Sequence, residues 1–184
     1  LYAALLAKTP GERELRESYL EMLEKFERFK EGIEQTNVLL TQAPEDRELL
    51  IRLASLQQRA KEVPAAKATL EKFLALKGTT EFDHLRVARW YEAFERNEDA
   101  TAAYAAMVKS FPDSNAAREA QAHYLHRIGQ KEAALAIWRE LGKTGDVHQV
   151  LAVGQALMTR NESAVAMEML QARMAEFEGN ERFL

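Results

Sequence analysis

An all-α chain of consecutive helical hairpins is what this sequence predicts, on three observations. First, 184 residues with 47% hydrophobic and 29% charged content, rich in Ala, Leu, Glu and Arg and holding four prolines, can bury a sizeable helical core. Second, Pro10, Pro44, Gly78 and Pro112 stand 34 residues apart, each where an amphipathic stretch ends. Third, residues of the same size recur at the same place between these breakers. Counted in this phase, units begin at Arg13, Arg47, Glu81 and Asn115, and a fifth begins at Val147 after a two-residue shortening. Each unit holds two apolar-periodic stretches joined by a short turn.

Taken in order, residues 1–12 read as the end of a preceding second helix, followed by units at 13–46, 47–80, 81–114, 115–146 and 147–180, with 181–184, "ERFL", as the start of another. The chain reads as a piece cut from a longer one. Position 8 of the units carries Leu20, Ala54, Ala88, Ala122 and Gly154, and position 20 carries Gly32, Ala66, Ala100, Ala134 and Ala166. Small residues at two fixed points let facing helices approach closely. Position 24 carries Thr36, Leu70, Tyr104, Trp138 and Leu170, which fill the space so opened. One hairpin alone would expose its apolar face, so neighbours must stack. Pro64 suits the first turn of a second helix, Asp113 or Ser114 offers an N-cap to the helix that follows, and Gly142 and Gly145 bracket a helix end.

This pattern resembles the tetratricopeptide repeat, a 34-residue helix–turn–helix unit with small residues at 8 and 20, aromatics or Leu at 7, 11 and 24, and Pro at 32. Val87, Ala88, Tyr91, Ala100, Tyr104 and Pro112 carry the likeness in the third unit, and Ala122, Leu125, Gly129, Ala134 and Trp138 in the fourth. The first unit departs at Leu20 and Thr36 but keeps Phe29 and Gly32, and the fifth ends in "EFEGN" instead of Pro. The resemblance implies an α-solenoid, a right-handed superhelix of about five such units truncated at both ends, whose first helices line a groove. In overall texture the chain also resembles the periplasmic repeat regions of bacterial outer-membrane exopolysaccharide exporters, where the repeats recruit a polymer-modifying enzyme. No motif carries that second likeness.

A fold of this kind supplies a surface, so function is read from the inward positions 2, 5, 9, 12 and 13 that the resemblance assigns to the first helices. The first unit presents Glu14, Glu17, Glu21 and Glu24, the third Phe82, Leu85 and Arg89, and the fourth His123, His126 and Arg127. An acidic step followed by apolar and histidine-bearing steps suits a protein partner whose extended segment is basic at one end and carries apolar anchors further along. Each feature has a plainer reading. The glutamates could be a solvated face supported by Glu21–Lys25 and Glu24–Arg28 pairs, and Phe82 and Leu85 could pack between units. Trp90, Tyr91, Tyr104 and Trp138 read as interior.

His123 and His126 share a helix face and His148 begins the next first helix, but no H-E-x-x-H motif is present and Glu119 is the only carboxylate one turn away. They are read as groove surface that responds to pH, with no metal and no cofactor expected. The absence of cysteine excludes disulfides, thiolate zinc sites and cysteine nucleophiles, and leaves the compartment open. A formal charge of −4 argues against nucleic acid, and no apolar run approaches a membrane span. There is no G-x-S-x-G elbow and no Gly-rich phosphate loop, so no enzyme is expected. The Lys/Asn pair at positions 5 and 9 that clamps chaperone tails is missing from every unit. Oligomeric state is left open.

Overall fold

The computed structural model describes residues 1–176, so the end of the fifth unit and the "ERFL" step lie outside the described residues. It is all-α there, with helices packed in sequence order and no strand among the described residues. Two compact units divide the chain, one from Leu1 to Thr79 and the other from Thr80 onward.

The first unit holds α1 (Tyr2–Lys8), α2 (Arg13–Lys25), α3 (Phe29–Gln42), α4 (Arg47–Arg59) and α5 (Val63–Leu74). Its interior is mostly aliphatic, built on Leu20, Leu23, Leu39, Leu50 and Leu70, with the Phe73 ring fully buried and Tyr19 buried beside Leu6 and Leu23. Position 8 is large here, and the structure shows what accommodates it. A Cβ added to Gly32 would meet Leu56 at 3.1 Å and Leu20 at 3.5 Å, so Leu20 takes the room that an alanine would occupy. Thr36, fully buried at position 24, turns its hydroxyl onto the Gly32 carbonyl at 2.8 Å, which removes the cost of burying it.

The second unit holds α6 (Glu81–Ala93), α7 (Asn97–Ser110), α8 (Asn115–Arg127), α9 (Lys131–Thr144), α10 (Val147–Met158) and α11 (Ser163–Arg173), then a short 3-10 turn over Met174–Glu176. Aromatic side chains replace leucines in its interior. Tyr104 and Tyr124 stack with ring centres 4.7 Å apart, and Trp138 is fully buried beside Leu135, Leu141 and Val153. Alanines at 88, 100, 117, 122 and 134, all fully buried, let the helices close around these rings. Gly142 lies inside α9, where a Cβ would strike the Met169 side chain, so its role is to admit α11, and Gly145 is the residue that caps the helix.

Two local devices recur in both units and explain where the helices start. Asp46, Thr80, Ser114 and Asp146 each stand just before α4, α6, α8 and α10, and each accepts a backbone N–H from the first turn. Glu12, before α2, makes no such bond. Between the helices of each hairpin stands a residue with positive φ: Glu27, Lys61, Glu95, Gly129 and Asn161. The following amide bonds back to the carbonyl five residues earlier, as in Arg96 N–H to Tyr91 O at 2.9 Å. This is the left-handed helix ending of the Schellman type, here mostly without glycine. Arginine caps other ends: Arg16 donates to the Pro10 carbonyl and Arg118 to that of Pro112, while Arg173 of α11 donates to the carbonyls of Gly142, Lys143 and Gly145.

Candidate docking site

The candidate residues fall in both units and meet different fates. In the first unit, Glu14 and Glu21 are exposed and make no ion pair among the described residues, whereas Glu17 pairs with Arg13 at 2.6 Å and Glu24 with Arg52 of α4 at 2.6 Å. The Glu24–Arg28 support expected from the sequence is not made. Arg28 lies in the hairpin turn, where the left-handed Glu27 carries it away from the helix face, and it holds Glu31 at 2.5 Å instead. Lys25 likewise leaves Glu21 unpaired. The stripe therefore offers two free carboxylates and two tied ones.

In the second unit, Leu85, Arg89, His123, His126 and Arg127 line one open cleft of about 800 Å³. Phe82 does not. It lies at the start of α6 with 66% of its surface exposed, while Leu85, one turn on, is half-buried against the cluster around Ala88 and Tyr104.

The cleft also holds Glu92 and Glu119, which the resemblance places at inward positions 12 and 5, and three residues that it does not place there, Tyr104, Tyr124 and Arg160. Tyr104 was read only as interior filler, yet its hydroxyl donates to Glu92 at 2.9 Å. Burial, reinforced by that carboxylate, raises the Tyr104 hydroxyl above its ordinary value. Glu92 also pairs with Arg127, whose guanidinium lies over the Tyr124 ring at 5.6 Å, and the Tyr124 hydroxyl reaches the Asn97 carbonyl at 2.9 Å. One chain of contacts thus links the interior stack to the cleft wall.

The histidines point to separate carboxylates. His123 contacts Glu119, one turn before it, at 3.4 Å, and Gln149 reaches the same carboxylate at 3.5 Å. The His123 contact is the main reason the Glu119 carboxyl lies below its ordinary range, against the opposing effect of burial. His126 contacts Glu162, before α11, at 3.3 Å, and Lys131 reaches it at 2.9 Å. Lys131 first, and then His126, hold Glu162 below its ordinary range too. Both imidazoles lie against the buried Trp138 ring, at 5.4 and 5.6 Å, and Arg160 lies over that ring at 5.5 Å. His148 is exposed at the start of α10. No cluster of three metal-ligating side chains occurs, and no helix is long and apolar enough to cross a membrane, among the described residues.

No family model matches the sequence, and no curated protein matches it. Solved structures do. A tetratricopeptide repeat protein from Parabacteroides merdae ATCC 43184 is 14% identical, with 99% of this chain and 72% of that one covered and a TM-score of 0.48. MamA from Desulfovibrio magneticus RS-1 is 12% identical over 91% of this chain and 96% of that one, with a TM-score of 0.46. YrrB, a TPR protein with an unusual peptide-binding site, is 12% identical over 99% and 94%, with a TM-score of 0.45. At such identities and TM-scores, none of these likenesses bears on what this chain binds.

Proposed function

We propose that this chain is a non-enzymatic docking module of tetratricopeptide-type hairpins, with units starting at Arg13, Arg47, Glu81, Asn115 and Val147. It holds a partner protein, or an extended segment of one, on the exposed faces of its first helices. The observation that carries this reading is the cleft of the second unit, about 800 Å³, walled by residues of α6 and α8. Its two carboxylates are engaged as structural partners, Glu92 by Tyr104 and Arg127, Glu119 by His123 and Gln149. Groups fixed in this way make a rigid, polar-rimmed floor suited to recognition. The glutamate stripe of the first unit is a second docking face, for a basic segment, through the unpaired Glu14 and Glu21.

Affinity capture tests the proposal with three versions of the chain: unaltered, with Glu14, Glu17, Glu21 and Glu24 changed to Lys, and with Leu85→Asp plus Arg127→Glu. Each altered version is expected to lose bound proteins that the unaltered chain retains. A captured set identical in all three removes the first-helix faces from consideration.

A further inference from the structure

The charges of the second unit's cleft do not balance. Three guanidinium groups line it, those of Arg89 on α6, Arg127 on α8 and Arg160 just after α10, against two carboxylates, Glu92 and Glu119. Both carboxylates are satisfied from within, Glu92 by Arg127 and the Tyr104 hydroxyl, Glu119 by His123 and Gln149. Arg127 is thereby neutralised. Arg89 is exposed and makes no ion pair among the described residues. Arg160 donates from one nitrogen to the Ala156 carbonyl at 2.9 Å and to the Thr159 hydroxyl at 3.2 Å, stacks over Trp138, and feels the Glu119 carboxylate without forming an ion pair with it. Three positive charges against two negative ones thus leave the cleft net positive in a chain whose formal charge is −4, with Arg89 outside any ion pair among the described residues. In a cleft with low-dielectric walls, such charges select the sign of the occupant.

Spacing narrows the occupant further. Arg89 on α6 and Arg160 in the turn after α10 stand two first-helix steps apart, and at roughly 10 Å per packed helix this separates them by about 20 Å. An extended chain covers that distance in about six residues. A single terminal carboxylate reaches one of the two arginines, so acidic side chains within a segment are the better fit. Between them, Ala116 and Ala120 of α8 offer an apolar step.

Resting on the docking reading above, we propose that this cleft takes an extended, internally acidic segment of a partner protein. Two Asp or Glu side chains about six positions apart would engage Arg89 and Arg160, with an apolar residue between them.

Fluorescence anisotropy with the full chain and labelled ten-residue peptides, acetylated and amidated at their ends, tests this. One peptide carries two Glu six apart around a Leu, and its counterparts carry Gln or Lys at the same places. The Glu peptide is expected to bind at least about 10-fold more tightly than the Gln peptide, the scale of one charge-assisted hydrogen bond. It is also expected to weaken with added salt. Arg89→Gln and Arg160→Gln should each cost the Glu peptide about 10-fold and leave the Gln peptide unchanged. Arg89 has no side-chain hydrogen bond to lose among the described residues, so its variant keeps the test valid if Arg160→Gln disturbs the α10–α11 turn. Equal binding of all three peptides, preference for Lys, no binding, or indifference to Arg89→Gln would each overturn the acidic assignment. The docking reading would fall separately, through a captured set that ignores the first-helix substitutions.

Discussion

The two units use the same hairpin and fill it differently, and the filling decides how the surface behaves. In the first, leucines fill most of the interior and carry no polar tip to the glutamates outside, while Arg47 lies over the buried Phe73 ring at 5.7 Å. In the second, Tyr104 is 3% exposed by surface yet places its hydroxyl on Glu92 in the cleft wall, and Trp138 lies beneath two histidines and an arginine. A tyrosine combines an apolar body with a polar tip, so one side chain can fill a core and orient a surface group. Aliphatic packing leaves the surface to solvent, and aromatic packing here organises it.

Breaking the largest ring is the most severe challenge to this contrast. Trp138→Ala should destabilise the second unit by about 3–5 kcal/mol and also loosen the cleft, since His123, His126 and Arg160 lose their support. Leu50→Ala should cost a comparable amount, about 2–5 kcal/mol, without altering ligand binding to the second unit. Urea denaturation together with peptide binding separates the two outcomes.

A smaller effect tests the polar tip. Tyr104→Phe should cost about 0.5–1.5 kcal/mol at neutral pH, because Glu92 loses a donor. The pH dependence follows from the raised value of Tyr104. Above about pH 10 the unfolded chain ionises this hydroxyl while the folded one resists, so stability falls as pH rises. The gap in urea midpoint between the parent and Tyr104→Phe should therefore narrow from pH 9 to pH 11. At the acid end, Glu119 and Glu162 lie below their ordinary range, so the stability they contribute is present above that range and is lost as pH falls through it. Glu162→Gln should make acid unfolding less steep.

The helix caps come next, at about 1 kcal/mol each for Asp46→Ala and Ser114→Ala by thermal melts. Smallest are the turns. Gly129→Ala should cost roughly 1 kcal/mol and Glu95→Gly should gain about 0.5–1 kcal/mol, because both positions have positive φ.

The helical class was legible because the apolar period and the breakers at Pro10, Pro44, Gly78 and Pro112 act locally and need no knowledge of neighbours. The residue that caps α8 was legible too, as one of two adjacent candidates, since N-cap chemistry is local. The left-handed turns were not, because four of the five carry Glu, Lys or Asn where only Gly129 advertises the conformation. Five of the six candidates placed beyond the glutamates share one cleft, because first-helix positions face alike. Tyr104 and Arg160 were missed as cleft residues, and Glu162 as a partner of His126, because these placements join side chains 12 to 36 residues apart, as in the Tyr104–Glu92 and His126–Glu162 contacts. The likeness to exopolysaccharide exporters named no residue and acquires none from the structure.

The central claim is that the first-helix cleft of the second unit is where a partner lies. Hydrogen–deuterium exchange of the chain alone and with a captured partner tests it most directly. Protection concentrated in 85–92 and 119–127 is the predicted result, and protection confined to α7, α9 and α11 would contradict it.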